Sequence, residues 1–126
     1  MRKKLHFTKS VWNDGRLELH MEQPVEISHL VPGRQMIVDS DEAAFVYLAE
    51  EENDFVYLYI HEAVWEDMRN ALQDSKIIAA AGSDGEFILE GWQEELTYLV
   101  ENIEGNSNYG EQMVEKVEKI FLTKEE

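Results

Sequence analysis

The sequence predicts an α+β fold: a mostly antiparallel sheet of about five to seven strands, with one inserted helix and two C-terminal helices packed on one face. Three observations predict it. Residues 4–23 alternate apolar and polar side chains about an Asn13-Asp14-Gly15 turn, which is hairpin chemistry. Two later runs, Ala43–Ala49 and Phe55–Ile60, are apolar at successive positions and separated by only a short acidic stretch. From Glu62 onward apolar residues recur at helical spacing, in one segment before residue 75 and two after residue 90.

Taken in order, Leu17, Leu19 and Met21 alternate with Glu18, His20 and Glu22, so the second strand of the first hairpin has one apolar face. Pro24 has no amide donor and ends that pairing. Val25–Leu30 reads equally well as a helical turn or an extended connection. Pro32-Gly33 predicts a turn before a short strand at Gln35–Val38, closed by Asp39-Ser40-Asp41. The two apolar runs predict central strands covered on both faces, and the brief Glu50–Asp54 loop favours a hairpin, because a parallel connection needs a dozen or more residues.

Val64, Trp65, Met68, Ala71 and Leu72 then form one stripe of an amphipathic helix. Lys76–Ala81 and Glu86–Glu90 flank Ser83-Asp84-Gly85, predicting a second hairpin. Trp92, Leu96, Leu99, Val100 and Ile103 mark the next helix, with Gly105 as its left-handed stop. Asn108 is placed to cap the last helix, with Glu111 three residues on. Its buried stripe is Tyr109, Met113, Val114, Val117, Ile120 and Phe121, and Lys116, Lys119 and Lys124 complement its dipole.

The chain has 126 residues, 44% of them hydrophobic, enough for one sizeable core, and residues 1–126 are expected to form a single domain. It contains no cysteine, which removes disulfides, thiolate metal sites and thiol nucleophiles, and fits a cytoplasmic setting. No stretch approaches the roughly 20 apolar residues of a membrane span. Net charge is −16, and it is unevenly spread. Residues 1–34 carry six basic and four acidic side chains, while residues 35–126 carry five basic and 23 acidic. Such a surface repels nucleic acid and anionic membrane and attracts basic protein partners.

Three segments carry a resemblance: Gly33–Asp41 (GRQMIVDSD), Glu95–Gly110 (ELTYLVENIEGNSNYG) and Val114–Phe121 (VEKVEKIF). Together they are similar to an uncharacterised family of small acidic proteins from low-GC Gram-positive bacteria (Firmicutes). The resemblance covers about Gly33 to Phe121 and implies a cytoplasmic bacterial protein of unknown function. It brings no catalytic residues and no cofactor.

Candidate sites are few. Asp39 and Asp41, at a strand end, offer oxygen ligands to a hard divalent cation, although Ala43 and Ala44 stand where a calcium loop of the EF-hand kind needs a ligand and a glycine; the plainer reading is a polar turn. His61-Glu62 begins like a zinc-hydrolase helix, but Trp65 takes the place of the second histidine. His6, His20 and His29 show no ligand spacing. Asn102, Asn106, Ser107, Asn108 and Tyr109 crowd a helix junction that either receives a ligand or simply supplies the stop and the cap. Tyr47, Tyr57, Tyr59 and Trp65, with Phe45 and Phe55 beside them, read as core or as a partner groove.

No cofactor-binding motif and no catalytic constellation is found. The leading functional expectation is a non-enzymatic interaction or regulatory protein that shows an acidic surface to a basic partner. The alternative is a small divalent-metal-dependent enzyme or ligand-binding domain using Asp39 and Asp41, with His61 or Glu62. Lys3, Lys4 and Lys9 form a small basic patch through which a second copy could dock, giving a homo-oligomer.

Overall fold

The computed structural model describes residues 3–122. Eight strands form two four-stranded sheets, one more sheet than the sequence predicts and slightly more strands. The strands are β1 (Lys3–Phe7), β2 (Lys9–Asn13), β3 (Arg16–His20), β4 (Val31–Asp39), β5 (Ala44–Glu51), β6 (Asp54–His61), β7 (Ile78–Ala81) and β8 (Glu86–Ile88). The helices are α1 (Trp65–Gln73), α2 (Trp92–Ile103) and α3 (Glu111–Val117). A 3₁₀ turn at Glu62–Val64 leads into α1, another at Ser107–Tyr109 precedes α3, and a π-helical turn at Glu118–Leu122 continues it. Lys124 lies outside the described residues.

The first sheet runs β1-β6-β5-β4 and the second β2-β3-β7-β8. Both are mixed. The hairpins β2–β3, β4–β5, β5–β6 and β7–β8 are antiparallel, whereas β1 lies parallel to β6 and β3 parallel to β7. The predicted first hairpin forms, but only from Lys9 onward. Asp14 and Gly15 both take positive φ, 53° and 77°, which is the two-residue turn that matches strand twist. Thr8 separates β1 from β2 and sends β1 to the other sheet.

Pro32 and Gly33 do not make a turn ahead of the strand. They form a bulge inside β4, where the register with β5 shifts between Pro32 and Gln35. A Cβ on Gly33 would lie 2.3 Å from the Leu48 carbonyl oxygen, so no side chain fits there. Fully buried Tyr47 braces the bulge: its hydroxyl accepts from Arg34 N at 3.3 Å and donates to the Glu90 carbonyl. Residues 24–30 are an extended connection with one turn, closed by Leu30 N donating to Ile27 O. Asp84, in the β7–β8 loop, accepts from Ile27 N, Ser28 N and Ser28 Oγ and so fastens that connection.

One main core draws on both sheets and all three helices, with Phe7, Leu17, Leu19, Phe45, Tyr47, Leu58, Trp65, Met68, Ile78, Leu96 and Ile103 among its members. Trp65 anchors α1 by donating its indole N–H to the Ile60 carbonyl at 3.1 Å. On β4 the outer edge is closed rather than left to pair, since Met36 N donates to the Glu95 carboxylate of α2 at 3.0 Å.

The two apolar runs are the central strands of their sheet, as predicted, but a helix-backed core covers only one of their faces. Ala44, Val46, Leu48 and Tyr59, with Tyr57 against them, form a separate small cluster to which no helix among the described residues contributes. Tyr57 and Tyr59 lie beside small and β-branched neighbours, so this face shields its central strand with its own aromatic side chains.

Candidate functional site

Side chains alternate across a strand, so the register of β1-β6-β5-β4 fixes what the helix-free face displays. Its cross-strand rows are Val31, Glu50 and Phe55; then Gln35, Leu48, Tyr57 and Lys4; then Ile37, Val46, Tyr59 and His6; then Asp39, Ala44 and His61. Val31, Ile37 and Phe55 are 56%, 40% and 44% exposed. A strand with one face toward water ordinarily alternates apolar with polar residues, and this one does not.

Acid stands at both ends of the face. Asp39 ends β4 and Asp41 and Glu42 follow in the β4–β5 turn, while Glu50 near the end of β5 and Glu52 in the β5–β6 turn stand at the other end. Glu51, between them, accepts from Lys3 Nζ at 3.5 Å and meets His29 Nε2, contacts that hold its carboxyl below the ordinary carboxylate range, His29 contributing most. Lys4 lies over the Tyr59 ring, 5.3 Å from its centroid. Two of the three lysines of the amino-terminal patch are therefore engaged within the chain.

Tyr59 reaches across β5 and donates its hydroxyl to Asp39 Oδ2 at 2.9 Å. Asp39 Oδ1 accepts from Glu42 N at 3.2 Å. One oxygen of Asp39 thus holds the β4–β5 turn and the other takes the Tyr59 hydroxyl from β6, while Asp41 stands exposed at the turn's tip. Among the described residues no three His, Asp or Glu side chains are placed to share a metal ion.

His6 and His61, 55 positions apart, meet at the same corner, with His6 Nδ1 2.8 Å from His61 Nε2 and ring centroids 5.0 Å apart. His6 also packs on Tyr59 at 5.1 Å. The parallel pairing of β1 with β6 creates this contact, and no spacing in the sequence signals it. Burial, then the neighbouring His6, push the His61 imidazole below its ordinary value, against the pull of Glu42 and Asp39.

The residues singled out at the α2–α3 junction do come together, mostly by satisfying one another. Asn106 Oδ1 accepts from Asn108 N at 3.1 Å, and Asn106 Nδ2 donates to the Asn102 carbonyl. Gly105 N donates to Glu118 Oε2, and half-buried Tyr109 packs against the main core. The cap predicted at Asn108 is made by Asn106, two residues earlier, on the 3₁₀ turn; α3 itself begins after Gly110, at φ 91°, with no side-chain cap. The six aromatics divide cleanly: Phe45, Tyr47 and Trp65 enter the main core, while Phe55, Tyr57 and Tyr59 line the open face. Glu62 lies apart from these and accepts from Lys116 Nζ at 2.7 Å beside a cleft of about 630 Å³ lined by Glu66, Arg69 and Lys119.

Fold and surface together define an acidic α+β protein with two mixed sheets, one of which keeps a face free of helices. The chain belongs to UPF0738, a family of unknown function whose pattern matches residues 5–121. It is 43% identical over 124 residues to a UPF0738 protein of Geobacillus sp. (strain WCH70), covering 98% of this chain and all of that one. UPF0738 proteins of Bacillus cytotoxicus and Bacillus cereus (strain B4264) are 46% and 44% identical over 98 residues, 78% of this chain and 80% of theirs. No solved structure matches. No helix among the described residues is long and apolar enough to cross a membrane.

Proposed function

We propose that this protein is a non-enzymatic interaction module of the cytoplasm that receives a basic protein segment on the open face of the β1-β6-β5-β4 sheet. One observation carries the reading: three exposed apolar side chains, Val31 and Phe55 on either side of Glu50 and Ile37 two rows further along, share a face that has acidic residues at both ends. Burying an aliphatic or aromatic side chain contributes about 1.5–3 kcal/mol, and these three are each roughly half exposed, so docking has on the order of 2–4 kcal/mol of apolar burial to gain. The carboxylates at either end add steering and select positive charge. A partner strand or helix with alternating Lys and Leu matches both features.

A fluorescent peptide of alternating Lys and Leu tests this by anisotropy. Binding should weaken as salt rises from about 0.05 to about 0.3 M, and the Ile37→Ser/Phe55→Ser double variant should lose about tenfold in affinity, the equivalent of ~1.4 kcal/mol. Binding that is indifferent to the double substitution would place the contact elsewhere on the acidic surface and defeat the proposal.

A further inference from the structure

We propose that His6 and His61 form a binding site for a borderline divalent transition-metal ion such as Zn²⁺ or Ni²⁺, held between His6 Nδ1 and His61 Nε2. The site stands independently of peptide docking. Two ring nitrogens on adjacent strands point at each other at 2.8 Å. Two imidazoles on one tetrahedral zinc, with Zn–N of about 2.0–2.1 Å, hold their nitrogens roughly 3.3 Å apart. Opening the pair by about half an ångström and turning each ring by roughly 35°, so that both lone pairs aim at one point, admits an ion, and side-chain torsions supply both movements.

The surroundings suit a cation. His61 Nε2 faces His6, and with the His61 proton on Nδ1 the Nε2 lone pair is the ligand. In that tautomer His6 Nδ1–H donates to Nε2 in the metal-free pair; on metal binding His6 carries its proton on Nε2 instead, and no net proton is released. Asp39 and Glu42 supply negative field beside the rings, and the Tyr59 ring packs against His6 at a tilt of 44°. His6 is exposed, so the ion has a path in.

Two nitrogens from the chain leave the other positions to water, consistent with the absence among the described residues of a third converging ligand. Nitrogen ligands favour Zn²⁺, Ni²⁺ or Cu²⁺ over Mg²⁺ and Ca²⁺. This differs from the hard-cation site expected at Asp39 and Asp41, whose ligands would be oxygens.

Titrating ZnCl₂ into the full chain while recording long-range ¹H–¹⁵N spectra of the imidazoles tests the site. Near one equivalent, His6 Nδ1 and His61 Nε2 should move to metal-bound positions while the nitrogens of His20 and His29 stay put. By calorimetry, His6→Gln and His61→Gln should each weaken Zn²⁺ binding at least tenfold, and Mg²⁺ should not compete. Circular dichroism checks that the variants fold, and the imidazole spectra of the unaltered chain decide the question even if they do not. Perturbation of His20 or His29 instead, or undiminished Zn²⁺ binding in a folded double variant, would mean that surface carboxylates collect the ion and would overturn the proposal.

Discussion

Replacing Tyr47 with Phe removes one oxygen and disconnects three parts of the chain. The hydroxyl takes the Arg34 amide at the β4 bulge and gives its proton to the Glu90 carbonyl ahead of α2, and Tyr47 itself is fully buried. Deleting one partner strands the other, and a buried amide or carbonyl left unpaired costs about 1–3 kcal/mol. With two such groups, and some relief from local relaxation, Tyr47→Phe should destabilise by ~2 kcal/mol at pH 7. The denaturant midpoint should fall while the slope m stays constant.

A second readout separates this hydroxyl from simple packing. Burial is the main cause that raises the Tyr47 phenol from about 10 to about 12. Between those values the unfolded chain loses the proton and the folded chain keeps it, so this group's contribution to stability declines as pH rises from 10 to 12. Phe has no proton to lose. The gap between the two proteins should therefore narrow over that window by about 1–2 kcal/mol, after allowing for screening by solvent. Equal stabilities at pH 7, or a gap that does not change from pH 9 to 12, would refute the reasoning.

Further outcomes are expected elsewhere. Asp84 is held down to about 2, mainly by the Ser28 hydroxyl and then by the Ile27 and Ser28 amides. Its contribution is fully present above pH 4 and lost as pH falls toward 2, so Asp84→Ala should lower the urea midpoint at pH 6 and differ little from the parent near pH 2. Gly33→Ala must push its methyl group off the Leu48 carbonyl and should cost about 1–3 kcal/mol by thermal melting; an unchanged melting temperature would show that the bulge yields freely. Trp65→Ala empties a fully buried site and abandons the Ile60 carbonyl, for an expected loss of about 3–5 kcal/mol in denaturant unfolding.

Local chemistry made much of this fold legible. Asp14-Gly15 announced its hairpin because only a few residues accept two positive φ values in succession, and the stripes through Trp65 and Leu96 announced α1 and α2 through their period. The runs at residues 43–49 and 55–60 correctly marked the central strands, yet their two-sided apolarity suggested a second cover that no helix among the described residues provides. What stayed hidden joins residues far apart in sequence. The parallel pairs β1–β6 and β3–β7 leave no trace in spacing, and they decide both the division into two sheets and the meeting of His6 with His61. The bracing by Tyr47 and Asp84 was hidden for the same reason.

At the Asn106–Tyr109 junction the residue types were informative about capping but ambiguous about ligands, since glycine and asparagine serve both. There the structure shows side chains engaged largely with one another. Asp39, selected as an oxygen ligand, holds the β4–β5 turn together and receives the Tyr59 hydroxyl.

The most direct test of the proposed docking face is an amide chemical-shift map of the ¹⁵N-labelled protein as the Lys/Leu peptide is added at low salt. Shifts should concentrate on the rows through Val31, Ile37, Phe55 and Tyr57 and fade as salt rises. Shifts centred on α1 or α2, or on β2-β3-β7-β8, would contradict it.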